Sequence, residues 1–352
     1  MKTAKIALPA PAPLDFLWER PAGRDGFDLF APGARPRHHH HTDFRLDGAF
    51  YVIPKDGAAF EPYAPMREET GLFRNFAETP PTADGVLAFA NRYGRLGDVS
   101  LIPRTRQARS PIVPNELDDF DSDGAAEEGN EWLAAILWVR FITRFWAAAC
   151  AGDAAFLSNF LRWRGQGAVT FTNPADAPAE DMPRHPLVKP TDAIDFLTRD
   201  TDPELLAGAR AGDLVLPARV FLQKSLNLAL AASASPQMVW SRERAAPVLQ
   251  WLPRHLFGAI CLQLALAISE GKEYRRCSVC GRWFELAPDV NRKSRLTCSA
   301  GCRNKAYRER QDEARRLHAA GKSVKQIAKT LDADPEAVAR WVKDKKNAQG
   351  EE

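Results

Sequence analysis

The sequence lacks a secretion signal and a long apolar run. Its first residues, MKTAKIALPAPAPLDF, are interrupted by prolines almost at once, whereas a signal peptide needs an unbroken apolar stretch. The longest apolar run, Leu256 to Ile268, has 13 residues, and a membrane helix needs about 20. A second apolar segment, from Trp132, carries Arg140 and Arg144, which would be costly at a bilayer centre. We therefore predict a cytoplasmic protein with no membrane partner.

Recognisable catalytic motifs are also missing. The sequence has no Gly-rich phosphate loop, no G-x-S-x-G, no H-E-x-x-H and no kinase or deaminase signature. Cysteine is scarce, with six residues in all, and Cys150 and Cys261 are solitary within apolar segments, where we expect buried, unreactive thiols. We predict no catalytic residue. An enzyme whose active site is not recognisable from sequence remains an alternative.

What is present suffices for a folded core, because 45% of the 352 residues are hydrophobic and this length suits two or three domains. Residues 1–79 are rich in Pro and Gly and contain one alternating segment, FRLDGAFYVIP, which predicts a hairpin. The run His38 to His41 has no acidic or cysteine ligand beside it. We therefore interpret the histidines as part of a loop rather than as a metal site.

Residues 80–271 show helical periodicity. TADGVLAFANRYG begins with Thr82 as a cap, and further helices are predicted over 130–151, 154–164, 190–198, 203–211, 217–233 and 253–270. Only AVTFTN near residue 170 and QMVW near residue 238 suggest strands. The predicted body is therefore mainly helical. Its tryptophans, Trp240 and Trp251 among them, are expected in the core.

Charge is unevenly distributed along the chain. Residues Lys272 to Lys346 contain 20 Lys and Arg against 10 Asp and Glu, a local balance of +10. The whole chain carries +3, so the remaining residues carry −7. This asymmetry predicts a basic module attached to a larger acidic body. The acidic stretch from Glu116 to Glu131 is interpreted as a solvated loop.

Four cysteines form two close pairs in the segment CSVCGRWFELAPDVNRKSRLTCSAGCRNK. Two residues separate the first pair, three separate the second, and 17 lie between the pairs. Two such turns direct four thiolates at one centre, which is the ligand set of a closed tetrahedral zinc site. A redox pair and an iron–sulfur cluster are alternatives with the same ligands. We predict one structural zinc ion held by Cys277, Cys280, Cys298 and Cys302.

Residues 274–310, YRRCSVCGRWFELAPDVNRKSRLTCSAGCRNKAYRER, resemble the treble-clef zinc fingers of the bacterial CGNR type. That resemblance implies a finger that closes a transcription-regulator-like protein and contacts DNA. The sequence departs from the family in its tight C-x-x-C pair and in Cys302-Arg303-Asn304-Lys305, which lacks the family's glycine. The wider segment is also similar to a group of uncharacterised bacterial zinc-finger proteins.

The sequence after the finger predicts three short helices. Gly321 ends the first, Ser323 with Gln326 forms a capping box for the second, and Asp334 with Pro335 starts the third. The segment resembles the helix-turn-helix of resolvase and Hin-type recombinases, which implies that the third helix enters the major groove. A three-helix module that contacts protein is the alternative.

These predictions combine into a mainly α protein with an irregular region at 1–79, a helical domain of unassigned role at 80–271, a zinc finger with a basic helix at 272–310, a helix-turn-helix at 311–346 and a tail at 347–352. We predict a bacterial transcriptional regulator that binds nucleic acid, with double-stranded DNA as partner. The helical body would bind a protein partner or a small effector, and the oligomeric state is left open. The alternatives are an adaptor and an enzyme targeted through the finger. Predicted nucleic-acid contacts are Arg275, Arg276, Arg292, Lys293, Arg295, Arg303, Lys305, Arg308, Arg310, Arg340 and Lys343.

Overall fold

The computed structural model divides the chain into two compact units, Met1–Lys272 and Glu273–Glu352. The histidine run, most of the acidic stretch, and Arg292 with Lys293 lie outside the described part of the chain. The residues that the structure describes are 16–30, 50–97, 99, 127–165, 167–174, 192–207, 209–241, 244–286 and 295–343.

The first unit mixes strands and helices along its length. Its described strands are β1 (Trp18–Pro21), β2 (Phe27–Phe30), β3 (Tyr51–Pro54), β4 (Phe60–Tyr63), β5 (Glu127–Glu128), β6 (Leu161–Arg164), β7 (Ala168–Thr172), β8 (Ala193–Thr198), β9 (Ala234–Ser241) and β10 (Ala246–Pro253). Its described helices are α1 (Pro65–Glu68), α2 (Leu72–Ala77), α3 (Ala83–Tyr93), α4 (Gly129–Ala151), α5 (Ala154–Leu157), α6 (Pro203–Ala207), α7 (Val215–Ser233) and α8 (Leu256–Glu270).

The strands of this unit pair in four small antiparallel sheets. The pairs are β1 with β4 and β9 with β10, and the three-stranded sheets have the orders β2-β3-β5 and β6-β7-β8. The last sheet has a register shift at Val169 and Thr170, which is typical of a β-bulge.

Helix α4 forms the centre of the core and packs against α2 and α7, while α7 packs against α8. Phe141 and Phe145 on α4 meet aromatic rings from other elements, including Phe171 of β7, which stacks on Phe221 of α7 at 4.3 Å between ring centroids. Among the described residues, α4 is the one helix long and apolar enough to cross a membrane, and 61% of its most apolar stretch is buried inside the unit. Helices in the core of a protein can have the same length and composition.

The prediction of a mainly α fold is wrong. Of the described residues, 49% are helical and 23% are in strands, with twelve strands in five small sheets and eleven helices, so the fold is mixed α/β. The helix predicted over 154–164 ends at Leu157, where the Asn159 amide donates to the Ala155 carbonyl at 2.8 Å. Short polar side chains that bond to carbonyls in this way favour helix ends. Within the segment predicted as a helix over 190–198, Ala193–Thr198 form β8, which pairs with β7.

Two expectations about core residues are also wrong. Trp132, Trp138 and Trp146 are buried, but Trp240 is 63% and Trp251 is 49% exposed on the β9–β10 hairpin. Cys150 is exposed near the end of α4, whereas Cys261 is buried in α8 as expected. Burial raises the pKa of the Cys261 thiol, which keeps it protonated and inert.

The second unit contains a small hairpin followed by three helices, β11 (Glu273–Arg276), β12 (Trp283–Leu286), α9 (Ala300–Ala319), α10 (Val324–Leu331) and α11 (Pro335–Lys343). One apolar cluster gathers Cys277, Phe284 and Leu286. The other lies among the three helices and gathers Ala314, Leu317, Ile327, Ala328, Val338 and Trp341. Helix α9 belongs to both regions, and the predicted boundary between residues 310 and 311 lies inside it.

Candidate metal centre

The first cysteine pair lies on a tight turn between β11 and β12. The Cys277 N–H donates to the Arg282 carbonyl at 2.8 Å, and the Gly281 N–H donates to the Cys277 carbonyl at 2.9 Å. Gly281 has φ +71°, a left-handed conformation that glycine adopts without steric cost. The turn therefore brings Cys277 and Cys280 to the same side of the hairpin.

The second pair lies at the start of α9. Ser299 is the N-cap of this helix, and its hydroxyl accepts the Cys302 N–H at 3.2 Å. Cys298 directly precedes the cap, and Cys302 lies in the first helical turn. The helix dipole stabilises negative charge at this end. A thiolate cluster therefore lies where α9 favours it.

Hydrogen bonds hold the two halves of the site together. The Ser278 N–H donates to the Leu296 carbonyl at 2.9 Å, and the Arg275 guanidinium donates to the Arg295 carbonyl at 3.2 Å. Arg295 itself donates to the carbonyls of Thr297, at 2.7 Å, and Cys298. Its guanidinium also lies over the Phe284 ring, 5.1 Å from the centroid. Arg275 and Arg295 therefore hold the segment that carries Cys298 beside the β11–β12 hairpin.

The sulfur positions fit a single metal ion. All four ligand atoms lie within 4.8 Å of one another, and the Cys298 sulfur is 3.6 Å from the sulfurs of both Cys280 and Cys302. A tetrahedral site with metal–sulfur bonds of about 2.3 Å places its sulfurs about 3.8 Å apart. The four cysteines can therefore hold a metal ion. Four thiolates leave no position for water or substrate, so such an ion is structural.

The cysteines do not ionise alike. Burial opposes ionisation of Cys277, but N–H groups from Cys280, Cys298 and Val279 lower its pKa to about 6. Burial also opposes ionisation of Cys280, and the Arg282 backbone and side chain lower its pKa. Burial and the neighbouring sulfurs raise the pKa of Cys298 to about 12. Without a cation the site thus resists carrying four negative charges at once.

The predicted nucleic-acid contacts occupy three places in the second unit. Arg275, Arg276 and Arg295 lie in the finger, where the Arg276 guanidinium packs over the Trp283 ring at 5.2 Å from the centroid. Arg340 and Lys343 are exposed on α11. The exposed residues of α9 are Arg303, Lys305, Arg308 and Arg310.

The amino-terminal half of α9 is basic on two sides. At 100° per residue, Arg303 and Arg310 lie on one side of the helix, and Lys305 and Arg308 lie on the other. Glu309 is the single acid between Ala300 and Arg310, and its oxygen lies 3.8 Å from the Lys305 ammonium. An exposed pair at this distance contributes little. The four cations therefore form a positively charged collar next to the cysteine cluster.

Sequence reasoning missed a link between the finger helix and the last helix. The Trp341 indole N–H donates to the Tyr307 hydroxyl at 2.9 Å, and the Arg315 guanidinium donates to the Trp341 carbonyl at 3.0 Å. Tyr307 precedes Ala314 by seven residues, or two helical turns. The spacing of seven residues could have predicted this contact, because it places Tyr307 on the same face of the helix as the core residue Ala314.

No known protein family, curated protein or solved structure matches this chain. The resemblances to CGNR-type fingers and to resolvase-like helices therefore stay predictions. The closeness of Cys277, Cys280, Cys298 and Cys302 stands on the geometry alone.

Proposed function

We propose that this chain is a zinc-binding, nucleic-acid-binding protein that acts in the cytoplasm as a DNA-binding transcriptional regulator. The observation that carries the proposal is the charged collar of α9. Arg303, Lys305, Arg308 and Arg310 are exposed on a helix whose first turn belongs to the cysteine cluster.

Zinc is the metal that suits this site best. Four cysteine sulfurs, two from a tight turn and two from the start of α9, form a closed site of the kind that holds structural Zn²⁺. In so small a region the metal supplies a large share of the folding energy. The hairpin β11–β12 has only three buried residues in its apolar cluster, too few to hold the first turn of α9 beside it without a metal. Zinc would therefore fix the start of the basic helix against the finger.

Nucleic acid is the partner that a two-sided basic helix suits best. A helix with its side chains is about 10–12 Å wide, and the major groove of DNA is about 12 Å wide. Lys305 and Arg308 lie on the side of α9 that faces away from the core residue Ala314, and cations there can reach phosphates. The ordinary alternative, a solvated helix surface, usually mixes acids with bases, and this half of α9 has one acid.

The third helix of the module supports base contacts less strongly. Arg340 and Lys343 are exposed in its carboxyl-terminal half and suit a guanine edge and a phosphate. The start of the helix is acidic, and the Asp334 carboxylate caps it by accepting the Glu336 N–H at 3.0 Å. Asp332 precedes this turn, so phosphates would be repelled there. The acidic start favours a second candidate function, an adaptor whose three helices contact protein.

The test is a salt series on full-length protein with random duplex DNA and RNA. In the collar variant Arg303, Lys305 and Arg308 are replaced by alanine. The control variant removes the same charge from exposed positions of the first unit, Arg162, Arg199 and Arg219. We expect log affinity to fall linearly with log salt for the wild type, and the slope to decrease by about 0.9 for each phosphate contact that is lost.

The collar variant should bind all sequences more weakly, with a slope smaller by about two to three units, while the control variant keeps the wild-type slope. Binding that is insensitive to salt, or equal losses in both variants, would contradict the proposal.

Arg340→Ala then separates the two roles of the third helix. On a preferred site it should cost about 1–3 kcal/mol if Arg340 contacts a base. An unchanged preference would support the adaptor role of the three helices.

A further inference from the structure

The β9–β10 hairpin carries a two-stranded sheet that leaves the body of the first unit. It directly follows α7 and precedes α8, and its eight residue pairs run in register from Ala246 opposite Ser241 to Pro253 opposite Ala234. Ala234 and Pro253 are buried at its base. Further out, the strands become exposed.

One face of this hairpin is entirely apolar and exposed. Side chains alternate between the two faces of a strand, and the register places three residue pairs on the same face. Met238 is 64% exposed, Trp240 63%, Leu249 66% and Trp251 49%. None of the six residues in these three pairs is charged, so none can form an ion pair. We call this set the hairpin face, and its members are Pro236, Met238, Trp240, Pro247, Leu249 and Trp251.

A surface of this kind is costly in a monomer. At these exposures the hairpin face presents about 500 Å² of apolar area, towards the upper end of what a typical monomer exposes as one patch. The hairpin is therefore expected to gain stability from a partner that covers the hairpin face.

We propose that the hairpin face binds the hairpin face of a second copy of this chain across a two-fold axis. An uncharged, apolar surface matches itself, and a two-fold contact requires a surface to be self-complementary. Two copies would bury about 1,000 Å², which is the minimum area expected of a biological interface. A nucleic acid would require cations among the six residues, and none is present.

The faces rather than the edges of the hairpins make this contact. Pro236 lies on β9 and Pro247 on β10, and a proline in a sheet occupies an edge position whose N–H side faces solvent. Each edge therefore lacks one donor that an added strand would use. Edge pairing would also leave Trp240 and Trp251 in water, whereas face packing covers both.

Self-association through the hairpin face is independent of metal and nucleic-acid binding. It places two basic modules in one particle, which is the arrangement that dimeric DNA-binding proteins use for paired half-sites. If the protein dimerises through the hairpin face but the collar does not bind nucleic acid, the dimer proposal is supported and the proposed function is contradicted. If the collar binds nucleic acid but the protein is a monomer, the proposed function is supported and the dimer proposal is contradicted.

The experiment is analytical ultracentrifugation of full-length protein over roughly 1–100 µM. The test variant combines Trp240→Thr with Leu249→Thr, which keeps strand propensity because threonine is β-branched. The control variant combines Val239→Thr with Val248→Thr, which alters the opposite, half-buried face. We expect a dimer for the wild type and the control, and a dissociation constant about 30-fold or more higher for the test variant.

A second measurement covers the case in which the test variant misfolds. In a Cys150→Ser background, which removes an exposed thiol, Met238→Cys leaves the tryptophans in place and should form a disulfide-linked dimer under mild oxidation, whereas Gln237→Cys on the opposite face should not. A monomeric wild type throughout the concentration range would overturn the proposal. So would a dimer that the test variant retains, or equal cross-linking at residues 237 and 238. Binding of the wild-type monomer to lipid vesicles or to nucleic acid through Trp240 would assign the hairpin face to another partner.

Discussion

The Trp341 side chain lies edge-on to the Tyr307 ring, with 5.6 Å between centroids, and its indole N–H donates to the Tyr307 hydroxyl. Tyr307 lies five residues after Cys302 on the same helix. Helix α9 therefore joins the cysteine cluster to the three-helix module without an intervening loop. The apolar cluster of the three-helix module begins further along α9, at Ala314.

Tyr307→Phe tests the strength of this link. Phenylalanine keeps the ring contact but removes the hydroxyl, so the Trp341 indole loses its partner, at a cost of about 0.5–1.5 kcal/mol. We expect faster amide hydrogen exchange in α11 of the full-length protein and an unchanged metal content. Arg308→Ala, an exposed change on another side of α9, is the control. Equal exchange in α11 for both variants and the wild type would show that the contact contributes nothing.

Metal removal should affect the two regions of the second unit differently. The cluster around Phe284 is small, so a chelator that removes the metal should expose the amides of β11, β12 and the first turn of α9. The apolar cluster that contains Leu317, Ile327 and Trp341 needs no metal, so α10 should keep most of its protection. Hydrogen exchange read by mass spectrometry measures both.

Cys280→Ser and Cys298→Ser should reproduce the pattern that the chelator produces, and both should abolish the one zinc ion per chain that we expect. Metal analysis should use a variant without the run His38 to His41, because histidine runs retain metal on their own. A zinc-free wild type, or an equal loss of amide protection from β11 through α11, would contradict the prediction that only the finger depends on the metal.

Local signals in the sequence predicted the second unit better than the first. The spacing of the cysteines and the pair Ser323 and Gln326 operate over a few residues, and both are confirmed, because the sulfurs cluster and the capping box is formed. Turns and caps of this kind depend on neighbouring residues only. The shared helix α9 was missed because each resemblance was assigned its own segment.

The strands of the first unit depend on distant residues. Ile194 lies in a segment with apparent helical periodicity, but it pairs with Phe171 in β7. Trp240 and Trp251 lie in strands whose two faces both carry apolar residues, and only the fold decides which face of a strand is covered. Sequence propensity cannot supply such pairings, because tertiary contacts override it.

The capping box of α10 allows a matched test of helix stability. The Ser323 hydroxyl accepts the Gln326 N–H, and the Gln326 side chain accepts the Ser323 N–H at 2.9 Å. Ser323→Ala should therefore destabilise the three-helix module by about 1 kcal/mol. Lys325→Ala, an exposed change in the same helix, is the control. Hydrogen exchange of the α10 amides measures the difference, and equal protection in the two variants would show that the cap is not limiting.

The carboxylate of the half-buried Glu127 is an acceptor that joins three parts of the first unit. It accepts N–H groups from the backbone of Gly97 at 2.6 Å and of Leu96 at 3.0 Å, and from the Trp132 indole at 3.0 Å. Glu127→Ala would leave these donors unsatisfied. An unsatisfied buried donor costs about 1–3 kcal/mol, so this variant should unfold at a clearly lower denaturant concentration than the wild type.

Glu127→Gln adds a test of pH dependence. Burial raises the pKa of Glu127, although the hydrogen bonds from Gly97, Leu96 and Trp132 oppose the shift. Above the unfolded pKa of about 4.3, the folded protein therefore holds a proton that the unfolded chain has lost, and the free energy of unfolding falls as pH rises through that window. The glutamine variant lacks this titration.

The unfolding free energy of the wild type minus that of Glu127→Gln should decrease from pH 4 to pH 7, as measured by denaturant unfolding. Leu133→Ala, which removes a buried apolar side chain of α4, controls for lost stability and should leave the pH dependence unchanged. A difference that grows with pH would show that the three hydrogen bonds outweigh burial and that the folded protein prefers the ionised carboxylate.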